Sequence, residues 1–179
     1  WSVREGQVVP GASDLRLTND AVLFETATVL YADLDQSTDL VETNKWEFAG
    51  EVYKTFLYAA SRLIRHHGGT IVSYDGDRVM GVFTGKRQRN DAVSCALKIN
   101  YAVKNYVQVE REKRWTGSFK IRHVIGIDTS EIRAARTGVR GDNDLVWIGT
   151  AANLAAKLTS LSADQPTWIT KRVYDYLDG

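Results

Sequence analysis

The order of three neighbouring elements limits how this chain can fold. A short strand that ends in aspartates is followed by a long amphipathic helix and then by a tight hairpin. Residues 28–31 form the β-prone run TVLY, which leads into Asp33 and then into the polar residues 36–38. A strand of this kind presents its carboxylates beside the backbone amides that begin a helix. Helically spaced apolar residues continue as far as Gly68-Gly69. They are Phe48, Val52, Phe56, Ala59 and Leu63.

The segment after the helix has the pattern of a β-hairpin. Its β-prone runs, 70–74 and 78–83, are separated by an Asp-Gly pair, which is a strong signal for a two-residue turn. Asp77 is therefore expected at the hairpin tip. We expect a parallel pair of central strands to bring it close to Asp33. Two such carboxylates leave room for phosphate oxygens and suit Mg²⁺ or Mn²⁺. Aspartates are also common turn formers, so the spacing alone fits a hairpin without a metal equally well.

The composition is that of an ordinary soluble domain. The 179 residues are 44% hydrophobic and 25% charged, with 23 Lys and Arg against 22 Asp and Glu, so the net charge is only +1. This balance gives no reason to expect nucleic acid or an anionic membrane as a partner. The single cysteine, Cys95, excludes a disulfide framework within one chain. The start does not read as a signal peptide, and no apolar run is long enough to span a membrane, so we expect a cytoplasmic protein.

The order of elements predicts one main domain. Residues 1–22 read as an N-terminal arm or a loosely attached lead-in, and residues 23–179 form the domain. Its expected order is strand, helix, hairpin, helix, hairpin, strand, helix, strand, which predicts an α/β (α+β) sandwich with a mostly antiparallel sheet covered by helices. We expect a strand over 119–128 with a turn after it, and a flexible loop near the substrate over 136–144.

Three motifs resemble one known family. YADLDQST at 31–38 resembles the FADIxGFT segment of the class III nucleotidyl cyclases, the adenylate and guanylate cyclase catalytic domain. YDGDRVMGVF at 74–83 resembles their GDxxMAVF hairpin, and IGTAANLAAKL at 148–158 resembles their IGxxVNxAARL helix. Together the motifs follow the family's order and spacing. The resemblance implies a ferredoxin-like core with added elements.

The resemblance also implies a metal site. Asp33 and Asp77 would hold two Mg²⁺ or Mn²⁺ ions, with the backbone carbonyl of Leu34 as a further ligand. In the family, the ribose 3′-hydroxyl attacks its own α-phosphate in line; one ion lowers the pKa of that hydroxyl while the other neutralises the leaving pyrophosphate. The triphosphate would lie against three backbone amides, those of Gln36, Ser37 and Thr38.

Two further family positions carry polar groups for the ribose and the phosphates. Asn153 matches the family's helical asparagine, but the arginine four residues later is replaced by Lys157. Lysine keeps the charge and loses the planar fork. The usual phosphate-binding arginine of the central strand is replaced by Val124, and Arg122, on the same strand face, is the candidate substitute. A solvated surface lysine or arginine would look the same in sequence.

The positions that select the base depart most from adenylate cyclases. Ser73 and Val146 stand where those enzymes have a lysine and an aspartate that read the adenine edge. An adenine would therefore lose two hydrogen-bond partners. The neighbouring Tyr74 and Trp147 add bulk that favours a smaller base, although aromatic residues in strands usually pack in a core. This pattern resembles the pyrimidine cyclases of bacterial anti-phage signalling, the Pycsar system.

The expected function is that of a homodimeric pyrimidine cyclase. UTP would be converted to 3′,5′-cyclic UMP and pyrophosphate, with each active site shared across the interface between two copies. The residues leave three alternatives open. They are a cytidylate cyclase, an adenylate or guanylate cyclase with an atypical base pocket, and a catalytically degenerate nucleotide-binding module.

Overall fold

Two long strands form the centre of a seven-stranded sheet in the computed structural model, which describes residues 1–177. Strand β2 spans Asp20–Leu34 and strand β5 spans His123–Val139. They pair antiparallel along most of their length, with a bulge between Phe24 and Ala27. Because strands rise about 3.3 Å per residue, β2 alone reaches from one end of the sheet to the other.

Five shorter strands pair with the edges of these two. They are β1 (Ser2–Glu5), β3 (Thr70–Asp75), β4 (Arg78–Phe83), β6 (Asp142–Ile148) and β7 (Thr167–Ile169). The main strand order is β3-β4-β2-β5-β6, with β1 beside the start of β2 and β7 beside the start of β5. Among the strands of residues 1–177, only the β1 and β7 pairings are parallel. The predicted α+β fold with a mostly antiparallel sheet is therefore confirmed.

Six α-helices cover the sheet in the described part of the chain. They are α1 (Ser37–Thr43), α2 (Trp46–His66), α3 (Gln88–Ala102), α4 (Gln108–Arg114), α5 (Thr150–Leu158) and α6 (Lys171–Tyr174). A π-helical turn, Val103–Val107, joins α3 to α4. No helix within residues 1–177 is long and apolar enough to cross a membrane.

The alternation of side chains along β2 creates two cores, one on each face of the sheet. Leu30, Ala32 and Leu34 face α2 and α3, whose apolar stripes bury Phe56 and Ile99 beside them. Val29 lies on the opposite face, where the small residues of α5 pack. Since alternate residues of a strand point to opposite faces, Asp33 lies on the α5 side. The larger core thus supports the site from behind.

Several predicted elements were wrong in detail. The strand expected over 119–128 is β5, which begins at His123 and continues through the expected turn to Val139. The loop expected over 136–144 is instead the end of β5, a tight turn and the start of β6. Thr129 and Ser130 read as turn residues in sequence. In the structure both pair with β2, and the Thr129 hydroxyl bonds to Thr28 (3.2 Å), so tertiary pairing overrides the local signal. Gly141, with φ +98°, closes the hairpin instead.

Three further expectations need correction. The strands carrying Asp33 and the Asp77 hairpin, β2 and β4, are antiparallel rather than parallel, because the hairpin reverses the chain. The first helix is interrupted between Thr43 and Trp46, which gives α1 and α2. The N-terminal segment is anchored rather than loose, since β1 pairs with β2 and Leu15 is buried.

Candidate active site

Asp33 and Asp77 lie at the same end of the sheet. Asp33 is the next-to-last residue of β2, and Asp77 lies in the turn between β3 and β4. Arg78, the residue after Asp77, pairs directly with Asp33 across the antiparallel strands. The hairpin register therefore sets the two carboxylates close to each other.

Burial and the charge of Asp77 both disfavour the charged form of Asp33. The pKa of Asp33 is raised to about 6, first because burial removes water from the carboxylate and next because of the negative charge of Asp77. The Arg78 guanidinium, with Nη1 4.0 Å from Asp33 Oδ2, acts in the opposite direction. Oδ2 of Asp77 is buried and has no hydrogen-bond partner within residues 1–177. A cation between these groups would satisfy both.

This donor set fits a divalent metal that shares its ligands with substrate. Within residues 1–177, no three His, Cys, Asp or Glu side chains are grouped so that they could hold a metal ion. Two carboxylates and a backbone carbonyl leave coordination positions for phosphate oxygens and water, as Mg²⁺ prefers. Leu34, the residue predicted to offer that carbonyl, is buried at the end of β2.

The residues predicted to bind the triphosphate begin α1. Gln36 precedes the helix with φ +59°, a left-handed conformation that non-glycine residues rarely adopt. Ser37 and Thr38 are the first helical residues, whose amides have no partner within the helix. The hydroxyl of Tyr53 donates to the carbonyl of Ser37 (3.3 Å) and ties this turn to α2. Donors suited to an anion are therefore adjacent to Asp33.

Arg122 lies beside the same turn but is already paired. Its Nε is 3.1 Å from Asp35 Oδ2, and its Nη2 is 3.1 Å from Asp164 Oδ1. The Asp35 amide also donates to the Arg122 carbonyl (2.9 Å). The guanidinium is thus near the predicted phosphate position, with its Nε and Nη2 already paired to carboxylates.

The structure separates Ser73 from Tyr74. Ser73 pairs with Met80, which packs in the core on the α5 face, so Ser73 lies on the same face of the sheet as Asp33. Tyr74 points to the other face, where its hydroxyl is 2.9 Å from that of Ser61 on α2. Of these two predicted base-binding residues, the fold brings only Ser73 to the metal face.

Val146 and Trp147 lie at the far end of the sheet. The Trp147 ring packs on Phe24, with 6.1 Å between ring centroids. Its indole N–H is buried and has no hydrogen-bond partner in the described part of the chain. Phe24 and Asp33 are nine residues apart on β2, which corresponds to roughly 30 Å along a strand. Val146 is 39% exposed on the opposite face of β6. Within one chain, these residues do not reach the carboxylates.

Asn153 and Lys157 form an outward-facing pair on α5. They are one helical turn apart, both are exposed, and neither side chain makes a hydrogen bond or ion pair within the described residues. Thr159, which follows the helix, lies on its inner side, with its hydroxyl 3.3 Å from Asp33 Oδ2. The pair therefore faces away from the chain's own carboxylates.

Two residues beside Asp33, Tyr31 and Arg78, were not predicted to belong to the site. The Arg78 guanidinium carbon lies 5.4 Å from the centre of the Tyr31 ring, and Arg78 Nη2 is 3.0 Å from Asp75 Oδ2. Burial raises the pKa of the Tyr31 hydroxyl. The sequence contains a signal for Tyr31, because it is two residues before Asp33 and therefore lies on the same face of the strand. The signal for Arg78 was its place next to Asp77 in the hairpin.

Proteins named uridylate cyclase match nearly the whole chain. The one from Burkholderia cepacia is 58% identical over 178 residues, covering 99% of this chain and 77% of that protein. The one from Xanthomonas perforans is 48% identical, again covering 99% of this chain and 77% of that protein. A third, from Rhodovulum sp. (strain MB263), is 41% identical and covers 98% of this chain and 75% of that protein.

Solved cyclase structures share the fold. The adenylyl cyclase CyaB from P. aeruginosa aligns with a TM-score of 0.75 and 24% identity, covering 87% of this chain and 81% of that chain. The guanylyl cyclase Cya2 aligns with a TM-score of 0.75 and 23% identity, covering 84% of this chain and 77% of that chain. At these identities the likeness establishes the architecture, that of a class III cyclase domain.

The sequence match to the family extends beyond the motifs. Residues 20–179 match the family described as the adenylate and guanylate cyclase catalytic domain. The match includes β2 with Asp33, the Asp77 hairpin and α5 with its outward-facing pair. The chain therefore belongs to the adenylate and guanylate cyclase catalytic domain family, the class III nucleotidyl cyclases.

Proposed function

We propose that this nucleotidyl cyclase is a metal-dependent uridylate cyclase that converts UTP to 3′,5′-cyclic UMP and pyrophosphate. Relatives named uridylate cyclase at up to 58% identity over nearly the full chain support the substrate. The resemblance to the Pycsar cyclases supports a role in the cytoplasm as a second-messenger synthase in anti-phage defence. Catalytic domains of this family are generally dimeric, bind nucleoside triphosphates and depend on metals.

The observation that carries the proposal of a cyclase with shared sites is the large distance, within one chain, between the predicted metal-binding residues and the other predicted site residues. Asp33 and Asp77 lie at one end of β2, and Trp147 packs against the strand roughly 30 Å away. Asn153 and Lys157 face outward from α5. A second copy of the chain, related by a two-fold axis, would bring the Trp147 end and α5 of one subunit to the carboxylates of the other. Two shared sites then form per dimer.

Each group has a chemical task in such a site. Asp33, Asp77 and the Leu34 carbonyl would hold two Mg²⁺ or Mn²⁺ ions, which lower the pKa of the 3′-hydroxyl and offset the charge of the leaving pyrophosphate. The 3′-oxygen bonds to the α-phosphorus as the bond from that phosphorus to the bridging oxygen breaks. Asn153 of the facing subunit orients the ribose, and Lys157 stabilises the charge that develops on the α-phosphate.

The polar groups near the site suit a pyrimidine base with carbonyl oxygens. Ser73 and Val146 replace the lysine and aspartate that read the amine and ring nitrogen of adenine in adenylate cyclases. Arg78 is stacked on Tyr31 beside Asp33, and its Nε is buried with no hydrogen-bond partner among the described residues. In the shared site, the indole N–H of Trp147 from the other subunit is a second buried donor, without a hydrogen-bond partner within residues 1–177. Such donors match the acceptor oxygens of uracil.

The proposal is tested by incubating the purified protein with Mn²⁺ and each of ATP, GTP, CTP and UTP, and identifying products by mass. We expect cyclic UMP as the main product, lost in Asp77→Ala and retained in Asp91→Ala, a carboxylate change at the start of α3. Cyclic CMP in excess would replace uridylate by cytidylate cyclase. Products from purines alone would overturn the base assignment, and no product from any nucleotide would favour a binding module.

A further inference from the structure

The outer edge of β5 has a gap between its two neighbouring strands. β7 pairs with residues 125–127 of β5 and β6 pairs with residues 133–139, so residues 128–132 face no strand on that side. The ends of two helices, α5 and α6, close the gap. Asp128, the first residue of the gap, is fully buried, which is costly for a carboxylate unless it is paired.

Arg172 on α6 supplies the pairing charge. Its Nη2 donates to Asp128 Oδ2 (2.6 Å), and the Thr170 hydroxyl donates to the other carboxylate oxygen (2.5 Å). The second nitrogen of the guanidinium, Nη1, reaches Thr150 Oγ1 at 3.3 Å. Thr150 is the first residue of α5. One side chain therefore joins β5, α6 and the beginning of α5.

The contact between Arg172 and Thr150 does not cap helix α5. The residue before α5 is Gly149, which has no side chain to cap it, and the Ala151 amide donates to Ser130 Oγ (3.0 Å) on β5. A guanidinium near a helix N-terminus is disfavoured by the helix dipole, so the negative charge of Asp128 is needed to offset it. Arg172 is thus placed where it fastens α5 rather than where it stabilises the helix itself.

The position of α5 matters because the helix carries both outward-facing site residues. Asn153 is three residues after Thr150 and Lys157 is seven, which corresponds to about 5 and 10 Å along the helix axis. We propose that Arg172 is a positioning residue that fixes the N-terminal end of α5, and hence Asn153 and Lys157, through its joint contacts with Asp128 and Thr150. This inference rests on the proposed function, in which those two side chains act across a shared site.

The test compares four variants with the wild-type protein. Arg172→Lys keeps the charge but replaces the two-pronged donor, and Thr150→Val removes only the acceptor on α5. The double variant Arg172→Met with Asp128→Asn removes the tether without leaving a buried charge unpaired. Lys171→Met is the matched control, because it breaks an exposed ion pair with Asp175 on the same helix. Melting temperature, hydrogen exchange and steady-state kinetics are measured for each.

We expect the amides of α5 to exchange about tenfold faster in the metal-free double variant than in wild type, with Lys171→Met unchanged. In the same variant, kcat should fall about tenfold while KM for the nucleotide changes less than about twofold, because misplacement affects the reacting geometry. Arg172→Lys and Thr150→Val should keep the wild-type melting temperature and lose kcat by about threefold.

Two results would overturn the inference. One is unchanged exchange of the α5 amides in Thr150→Val and the double variant; the other is wild-type kcat in these folded proteins. If the double variant does not fold, Thr150→Val and Arg172→Lys decide in the same way. A wild-type protein that cyclises no nucleotide would refute the proposed function, and the exchange comparison would still decide whether Arg172 fastens α5.

Discussion

Asp33 and Asp77 repel each other when no cation is bound. Burial and the neighbouring charge together raise the pKa of Asp33, and a buried oxygen of Asp77 has no hydrogen-bond partner in the part of the chain that the structure describes. This repulsion destabilises the folded protein when no cation is bound. Binding of a cation removes the repulsion, and the free energy recovered adds to the affinity. The arrangement is therefore one that favours binding over stability.

Replacing Asp33 by Asn should stabilise the metal-free protein. We expect Asp33→Asn to raise the free energy of unfolding in EDTA at pH 8 by roughly 1 kcal/mol, because it removes a poorly solvated charge. Mn²⁺ should raise the melting temperature of the wild type and not of the variant. Asp39→Asn, on exposed α1, is the control and should not stabilise. Loss of stability in Asp33→Asn would contradict this account of the pair.

His123 gives the protein a sensitivity to acid. It is 6% exposed, its Nε2 lies 2.6 Å from Asn100 Oδ1, and burial lowers its pKa to about 4 from 6.5. Between these values the unfolded chain binds more protons than the folded one. Stability is therefore fully present above pH 6.5 and is lost as the pH falls through 4.

A conservative replacement should flatten this dependence. His123→Gln retains a donor for Asn100 and does not titrate. We expect the wild type to lose up to about 1.4 kcal/mol per pH unit more than His123→Gln between pH 6.5 and 4. Urea unfolding in EDTA at several pH values measures the difference. His66→Gln, at the exposed end of α2, should follow the wild type; equal acid losses in all three proteins would exclude His123 as the cause.

Helix α5 packs on β5 with no space for a side chain between them. A Cβ on Gly126 would lie 2.1 Å from the carbonyl oxygen of Ala155 and 2.7 Å from Leu158 Cβ. These neighbours are helix backbone and a Cβ, which cannot move aside without moving the helix. The close approach sets the distance between the sheet and the helix that carries Asn153.

Gly126→Ala should therefore displace or loosen α5. We expect a loss of about 2 kcal/mol or more in the free energy of unfolding, measured in urea, because the added methyl overpacks the contact. Gly50→Ala is the matched change, since an added Cβ there meets nothing within 4 Å and the residue lies inside α2. That variant should gain about 0.5–1 kcal/mol. Equal stabilities of the two variants would refute the packing argument.

At the level of the whole molecule, sharing of sites between two copies is testable by complementation. Asp33→Ala and Asn153→Ala should each be inactive alone. In an equal mixture that exchanges subunits, half of the dimers are mixed and each has one intact site, so activity should return to about one quarter of wild type. Cyclic nucleotide formation after mixing measures this. No recovery, with exchange verified by mass, would exclude shared sites.

Much of the element list could be predicted from the sequence because its signals are local. The helical spacing of Phe48, Val52 and Phe56 and the Asp-Gly turn before Asp77 both gave correct elements. Where long-range pairing competes with a local signal, prediction failed. Thr129 and Ser130 look like a turn but lie inside β5, held by hydrogen bonds to β2. Similarly, alternation puts Ser73 and Tyr74 on opposite faces of β3, but only the pairing with β4, after a bulge between Ile71 and Ser73, shows that Ser73 is the one on the metal face.

The sequence by itself determined the chemistry available to this protein: two aspartates beside a strand end and a hairpin tip, an Asn and a Lys one helical turn apart, and a family. Only the tertiary structure decided which of these groups meet. Asp33 and Asp77 come together because β2 and β4 pair in register, whereas Trp147 is kept at the far end of the same sheet. Distances between residues far apart in sequence depend on strand pairing and packing, which no local pattern contains.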